Sequence, residues 1–177
     1  MTRPQSWMLP ILAAFSLSCL TAQAAAPLRS WPVEQRMPVN EELPGADATV
    51  RAVQYLLAAH GLPVAPDGFF RHGTEAALRQ FQTAHHLVAS GKTNNPTWEA
   101  LIVPLHLGSR GAAVKAAQTE FRDAGYAVAV DGVFGPEMKA VTKTFQVRTA
   151  HTADGVIGRS TWYELVGGAS DTGAGYD

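Results

Sequence analysis

Cysteine and charge are both scarce in this sequence. Of its 177 residues one is cysteine, Cys19, which rules out an internal disulfide and a multi-cysteine zinc site. Charged residues make up 16% of the chain, against about 25% in an average globular protein. The 14 basic and 15 acidic residues leave a net charge of −1. This balance argues against nucleic acid as a partner, because neutralising phosphates needs a basic surplus.

A long uncharged stretch lies at the N-terminus. After Arg3 no charged residue occurs until Arg29, and residues 7–20 are mostly apolar. Ala22-Gln23-Ala24 then places small residues at the two positions that a signal peptidase reads. This pattern predicts a signal peptide over residues 1–24, cleaved after Ala24, and a location outside the cell or in the cell envelope.

Two alternatives remain for this N-terminal segment. It could stay uncleaved as a membrane anchor, although Pro10 and the polar residues after Leu20 make it a poor spanning helix. It could also be a lipoprotein leader that uses Cys19, although Ser16 stands where a lipobox has an aliphatic residue. Cleavage after Ala24 leaves no cysteine and no membrane segment, which removes every cysteine-nucleophile mechanism.

Low-complexity segments flank the remaining chain. Residues 25–44 contain regularly spaced prolines, which favour extended backbone and predict a semi-rigid spacer. Residues 168–177 are rich in glycine and have almost nothing to bury, so we expect a disordered tail.

The middle of the chain is an internal repeat. A shift of 64 positions aligns residues 50–101 with residues 114–165 without a gap and gives 17 identities in 52 positions. The identical pairs include Gln54 and Gln118, the Asp-Gly pairs at 67–68 and 131–132, and Trp98 and Trp162. We interpret the repeat as two tandem modules, residues 45–102 (module 1) and residues 108–167 (module 2).

Each module has the periodicity of three helices, which predicts an all-α fold. Val50, Val53 and Leu57 recur on one face of a first helix, for which Asp47 is a candidate cap. Gly61 and its counterpart Gly125 suit the left-handed end of that helix. The Asp-Gly turn follows, then a second helix that in module 2 begins at Gly135-Pro136-Glu137. A short third helix begins near Asn95-Pro96 in module 1 and near Ser160 in module 2 and buries its tryptophan. The apolar connection at residues 103–107 is short, so we expect the modules to touch.

The repeated motifs resemble the type 1 peptidoglycan-binding module. Module 2 matches its pattern closely through Asp131-Gly132-Val133-Phe134-Gly135-Pro136, Phe145-Gln146 and Thr161-Trp162. Module 1 departs from it where Arg71-His72 replaces Gly-Pro and Ser90-Gly91 replaces the second Asp-Gly. The resemblance covers residues 45–167 and implies binding of cell-wall glycan or stem peptide.

Polar residues of the loops and the tryptophans are the candidate contacts for such a ligand. Each has a structural alternative, because aspartates before glycine often form turns and large aromatic residues usually belong to a core. The candidates are Arg71, His72, Asn94, Asn95, Trp98, Asp131, Arg159 and Trp162.

Nothing in the sequence predicts catalysis, a metal or a cofactor. The six histidines include no H-E-x-x-H motif, and the adjacent His85 and His86 point about 100° apart on a helix. Asp67 and Asp131 occupy equivalent points of separate modules and cannot form the carboxylate pair of a glycosidase. Because a spacer and a tail are the segments beside the modules, we expect no catalytic domain in this chain. A weak metal-dependent hydrolase is therefore the least favoured hypothesis.

Two functional hypotheses remain. The first is an exported, non-catalytic cell-wall protein whose two modules bind peptidoglycan, with a cell-wall hydrolase as a further candidate partner. The alternative is a docking or inhibitor factor that uses the same fold to bind another protein and does not bind the wall.

Overall fold

The computed structural model describes residues 46–167, and all six of its regular elements are helices. The helices are α1 (Ala48–Ala59), α2 (His72–Ala84), α3 (Asn95–Leu101), α4 (Ala112–Asp123), α5 (Pro136–Arg148) and α6 (Arg159–Gly167). Within these residues no β-strand forms, and two isolated bridges join Leu105 to Ile157 and Arg110 to Val133. The all-α prediction of two three-helix modules is confirmed. The predicted signal peptide, the proline-rich spacer and the glycine-rich tail lie outside the described residues.

The ends of the helices follow the predicted signals. Asp47 caps α1, because its Oδ1 accepts a hydrogen bond from the Val50 amide at 2.9 Å. Gly61 and Gly125 follow the ends of α1 and α4 with φ angles of 80° and 84°, a left-handed conformation that favours glycine. Pro136 is the first residue of α5, where its missing amide hydrogen has no cost.

A core of large side chains lies inside each module. The large aromatic residues at the repeated positions are all buried, namely Phe70, Phe81 and Trp98 in module 1 and Phe134, Phe145 and Trp162 in module 2. Burying such rings supplies most of the apolar area that stabilises a module of this size.

The two modules pack against each other through α1 and α4. Val53 on α1 is fully buried, and so are Ala52 and Leu56, which lie about 100° and 60° around the helix from it. The equivalent residues of α4, Ala116 and Glu120, are buried to the same extent. Small alanines on both helices allow close approach of the two backbones. This interface confirms that the modules touch.

The linker is part of module 2. Leu105 exchanges two backbone hydrogen bonds with Ile157, at 3.1 and 2.8 Å. The indole nitrogen of Trp162 donates to the carbonyl of Val103 at 2.8 Å. These contacts fix the chain between the two modules.

Among the helices of residues 46–167, none combines the length and the apolar character that crossing a membrane requires.

Candidate functional site

A buried glutamine holds the Asp-Gly turn of module 2. The Oε1 atom of Gln118 accepts from the Gly132 amide at 2.8 Å. Its Nε2 atom donates to Asp131 Oδ1 at 2.8 Å and to the Val133 carbonyl at 3.1 Å. Gly132 has a φ of 78°, and a side chain there would also crowd the Gly111 carbonyl. The turn therefore depends on glycine and on the side-chain amide beneath it.

The same clamp occurs four times in the described chain. In each case the glutamine Oε1 accepts from a glycine amide of a following turn, at 2.8 or 2.9 Å. The pairs are Gln54 with Gly68, Gln82 with Gly91, Gln118 with Gly132 and Gln146 with Gly155. The 64-residue shift aligns these glutamines in pairs, but the sequence alone assigns them no role. Their recurrence ahead of each turn was the available signal.

The outer side of the Asp131 turn forms one wall of a groove of about 330 Å³ in module 2. The start of α5 and residues 127–129 form the rest of its lining. Val128, Val133 and Met138 give the groove an apolar surface, and Asp131 and Glu137 bring two carboxylates to it. No lysine, arginine or histidine lines this groove.

The Asp131 carboxylate that lines this groove has a lowered pKa and is therefore ionised. Hydrogen bonds from the Gln118 side chain and the Val133 amide lower its pKa, and the positive charge of Arg110 contributes in the same direction. Both of these hydrogen bonds end on Oδ1. Within residues 46–167 no basic side chain forms an ion pair with Asp131, so its Oδ2 atom is available to a ligand.

The equivalent turn of module 1 has a different surface. Asp67 Oδ1 accepts from Gln54 and from the Phe69 amide, as in module 2, but its Oδ2 atom accepts from Arg71 Nη1. The guanidinium carbon of Arg71 lies 4.3 Å from the centre of the Phe69 ring. Arg71 occupies the position of Gly135, so the carboxylate that is open in module 2 is covered in module 1.

The charge of Asp67 is held by the same contacts. Burial acts to raise the pKa of Asp67, but the hydrogen bonds from the Phe69 amide and Gln54, together with Arg71, outweigh it and lower the pKa. The exposed ion pair itself adds little stability, because solvent screens it. Its consequence is that the carboxylate already has a cationic partner.

Comparison with protein families supplies the family of the repeat. A family model described as "Putative peptidoglycan binding domain" matches residues 46–101 and residues 110–165. The chain belongs to this family. The two matches coincide with the two three-helix modules, so each module is one peptidoglycan-binding family domain. No curated protein matches the chain.

Solved structures with similar regions include three bacterial or phage proteins. The Burkholderia AP3 phage endolysin is 33% identical over 37% of this chain and 26% of its own, with a TM-score of 0.37. A peptidoglycan-binding protein from Clostridioides difficile, in complex with glutamine hydroxamate, is 34% identical over 38% of this chain and 43% of its own, with a TM-score of 0.38. A fused Zn-dependent amidase/peptidase/peptidoglycan-binding protein from Clostridium acetobutylicum is 33% identical over 36% and 28%, with a TM-score of 0.35. In each case the match covers less than half of the other protein.

The tryptophans of the two peptidoglycan-binding domains are not on the surface. Trp98 and Trp162 have no exposed area, which confirms that they belong to the core and leaves no ring face for a ligand. Asn94 has a structural role as well, because its Oδ1 caps α3 by accepting from the Thr97 amide at 3.1 Å. Trp98, Trp162 and Asn94 therefore have structural roles in the fold.

The remaining candidates do not form one site. Arg71 and His72 adjoin at the start of α2, beside Asp67, while Asp131 lies in module 2. Asn95 is exposed at the start of α3. Arg159 bonds to Glu99 of the other module through an exposed ion pair. Of the candidates, the structure thus brings together only Arg71 and His72, which lie beside Asp67.

Two histidines of module 1, His60 and His85, contact an aromatic ring of its core. The His60 ring lies 4.9 Å from the Phe81 ring, and His85 lies 4.2 Å from the same ring on centroids. His60 Nε2 is also 2.9 Å from the Leu101 carbonyl. In the part of the chain that the structure describes, no group of three or more histidine, cysteine, aspartate or glutamate side chains could hold a metal ion.

Proposed function

We propose that this chain is an exported, non-catalytic protein that binds peptidoglycan through the groove of module 2. The observation that carries the proposal is the open carboxylate of Asp131 beside an apolar surface, within a domain of the peptidoglycan-binding family. A concave surface with few polar groups at fixed positions is the usual form of a ligand site.

A binding role fits the chemistry of this groove better than catalysis does. The lowered pKa of Asp131 keeps its carboxylate ionised at neutral pH, so it does not supply a proton as a general acid. The family describes a binding domain, and the catalytic parts named in the relatives belong to those proteins. Export is supported by the composition of residues 1–24, in which a positive start precedes an apolar run and an A-x-A exit.

Module 1 has a supporting role in this proposal. Its Asp67 carboxylate is paired with Arg71, and its α1 packs along α4 of module 2. We therefore assign wall binding to module 2, and we assign to module 1 the support of the helix from which Gln118 holds the binding turn.

Co-sedimentation with insoluble peptidoglycan tests the proposal. The purified chain is mixed with sacculi over a range of protein and salt concentrations, and the bound fraction is measured. The informative variant is Gly135→Arg, which places an arginine where module 1 has Arg71. Gly135 has a φ of −85° and open space around its Cβ position, so the substitution is compatible with the fold. Gly158→Arg is the matched control, because it adds the same charge at the start of α6, also in open space.

Saturable binding that weakens about tenfold in Gly135→Arg and persists in Gly158→Arg would support the proposal, since tenfold corresponds to one charge-assisted contact. Equal binding by Gly135→Arg and Gly158→Arg would contradict the assignment of the binding site to the groove of module 2. No sedimentation of the folded wild-type protein would contradict wall binding and would favour the protein-docking alternative.

A further inference from the structure

The two modules use one carboxylate position in two ways. In module 1, Asp67 Oδ2 accepts a hydrogen bond from the guanidinium of Arg71, which is also stacked on Phe69. In module 2, Asp131 forms the same turn, but Gly135 has no side chain to reach it. Module 1 therefore contains, inside the same chain, an example of a cation bound at this carboxylate position.

We propose that the groove of module 2 recognises a primary ammonium group on peptidoglycan, bound by Asp131 as Asp67 binds Arg71. This inference rests on the proposed function above and names the chemistry of its ligand. Gln118 and the Val133 amide hold Oδ1, so the direction of the remaining oxygen is fixed before the ligand arrives. A cation meeting a positioned carboxylate forms a hydrogen bond about twice as strong as a neutral one.

The charges around the two Asp-Gly turns support a cationic ligand. Asp131 and Glu137 are the charged residues that line the groove of module 2. At the equivalent positions module 1 has Asp67 and Gly73, with Arg71 beside them, so its acidic charge is already neutralised. An anionic ligand would meet two carboxylates in module 2.

The apolar lining supports an ammonium group on an aliphatic stem. Val128, Val133 and Met138 lie on the same groove as Asp131. In module 1 the guanidinium of Arg71 lies over the Phe69 ring and also reaches the aspartate. A short aliphatic chain ending in an ammonium group would contact module 2 in the corresponding way.

Peptidoglycan offers this chemistry from two sources. One is the side-chain amine of a diamino acid in the stem peptide, and the other is an amino sugar that has lost its acetyl group. Both present a primary ammonium group, so the groove can be tested for the shared chemistry first and for the source second.

Chemical acetylation of the sacculi is the decisive probe, because it converts primary ammonium groups to neutral amides. We expect the wild-type chain to bind acetylated sacculi about tenfold more weakly than untreated sacculi. The matched variant is Asp131→Asn, which keeps an oxygen for Gln118 and the Val133 amide but loses the charge. Asp131→Asn should bind both preparations equally and weakly, which controls for the change in sacculus charge.

The outcomes separate the inference from the proposed function. Equal wild-type binding to acetylated and untreated sacculi would overturn the ammonium inference and leave wall binding intact. Absence of wild-type binding to either preparation would overturn both. Calorimetric titration of the full chain with a stem peptide bearing a free amine, and with glucosamine oligomers, then identifies the source. Binding of either probe that is lost in Asp131→Asn would support the inference, and failure of both probes would contradict it.

Discussion

Module 1 and module 2 share a scaffold but differ at the groove that the scaffold builds. Both use a buried glutamine to hold an Asp-Gly turn, and both bury a tryptophan from the third helix. At the start of the second helix, however, module 1 has Arg71-His72 where module 2 has Gly135-Pro136. In module 1 the Arg71 side chain forms an ion pair with Asp67. Within the described residues, the equivalent carboxylate of module 2, Asp131, has no such partner because Gly135 replaces the arginine.

This difference separates what the fold needs from what binding needs. The glycine amide and the first aspartate oxygen have the same partners in both modules, and the glutamines differ only in a further hydrogen bond from Gln54 Nε2 to Thr74 Oγ1, so these groups belong to the turn. The partner of the second aspartate oxygen and the residue at position 71 or 135 differ between the modules. These are therefore the parts of the turn that can determine which ligand binds. The functional part of each turn is therefore a small region supported by a buried polar contact.

The largest expected effect is on the shared core. Trp162→Ala should lower the free energy of unfolding by about 3–5 kcal/mol, because it removes a fully buried ring. It also removes the hydrogen bond from the indole to the Val103 carbonyl, which ties the linker to α6. Urea denaturation of the variant and of Trp98→Ala measures the effect in each module. Unchanged stability with lost wall binding would place the indole at the binding surface instead.

Loss of the glutamine clamp should have the next largest effect. Gln118→Ala leaves the Gly132 amide without its acceptor, and a buried donor without a partner costs about 1–3 kcal/mol. Gln54→Ala is the matched change in module 1 and should cost a similar amount. The two variants should differ in function, since only Gln118→Ala disturbs Asp131 and should weaken sedimentation with sacculi. Equal loss of binding in both variants would mean that the turns of both modules contribute to binding.

Acid should affect the turns of the two modules differently. Hydrogen bonds from the Val156 amide and Gln146 lower the pKa of Asp154, whereas the equivalent residue of module 1 is Ser90. A lowered folded-state pKa contributes stability above the ordinary value of 3.8, and this is lost as the pH falls through the folded value. Hydrogen exchange should therefore show the Gly155 amide losing protection as the pH falls below 3.8 toward the lowered pKa of Asp154, with a smaller change at Gly91. A larger change at Gly91 would contradict this account.

Removing the arginine of module 1 should have the smallest effect. Arg71→Gly frees Asp67 Oδ2 and should change the stability by less than about 1 kcal/mol, because the ion pair is exposed. If an open carboxylate is what the groove needs, the variant should sediment with sacculi more strongly than the wild-type chain, by about two- to fivefold. The control is Arg71→Lys, which keeps a cation at this position. A glycine substitution elsewhere on α2, such as Arg79→Gly, would weaken the helix itself and is therefore not a suitable control. Weaker binding by Arg71→Gly would show that Arg71 itself contacts the wall.

Much of the scaffold could be predicted from the sequence because its signals are local. The cap at Asp47, the left-handed Gly61 and Gly125, and Pro136 at the start of α5 each act within one turn of backbone. The 64-residue shift then carried the assignment from one module to the other. These features need no knowledge of which helices meet.

The groove and the interface could not be predicted in the same way because they depend on tertiary contacts. The sequence identified Asp131 as a candidate but not that its two oxygens divide between the turn and the groove. The second buried face of α4 contains Glu120, where the equivalent residue of α1 is Leu56, so its pattern did not indicate an interface. The tryptophans were candidates by residue type, and only packing shows that they have no exposed face.

The most direct test of the account is to locate the bound ligand on the two modules at once. Backbone amide resonances of the labelled chain would be followed while soluble peptidoglycan fragments are added. We expect the shifts to be concentrated at residues 127–141, around Asp131 and Gly135, and the equivalent residues 63–77 of module 1 to be unaffected. Shifts concentrated in module 1, or along α1 and α4 between the modules, would contradict it.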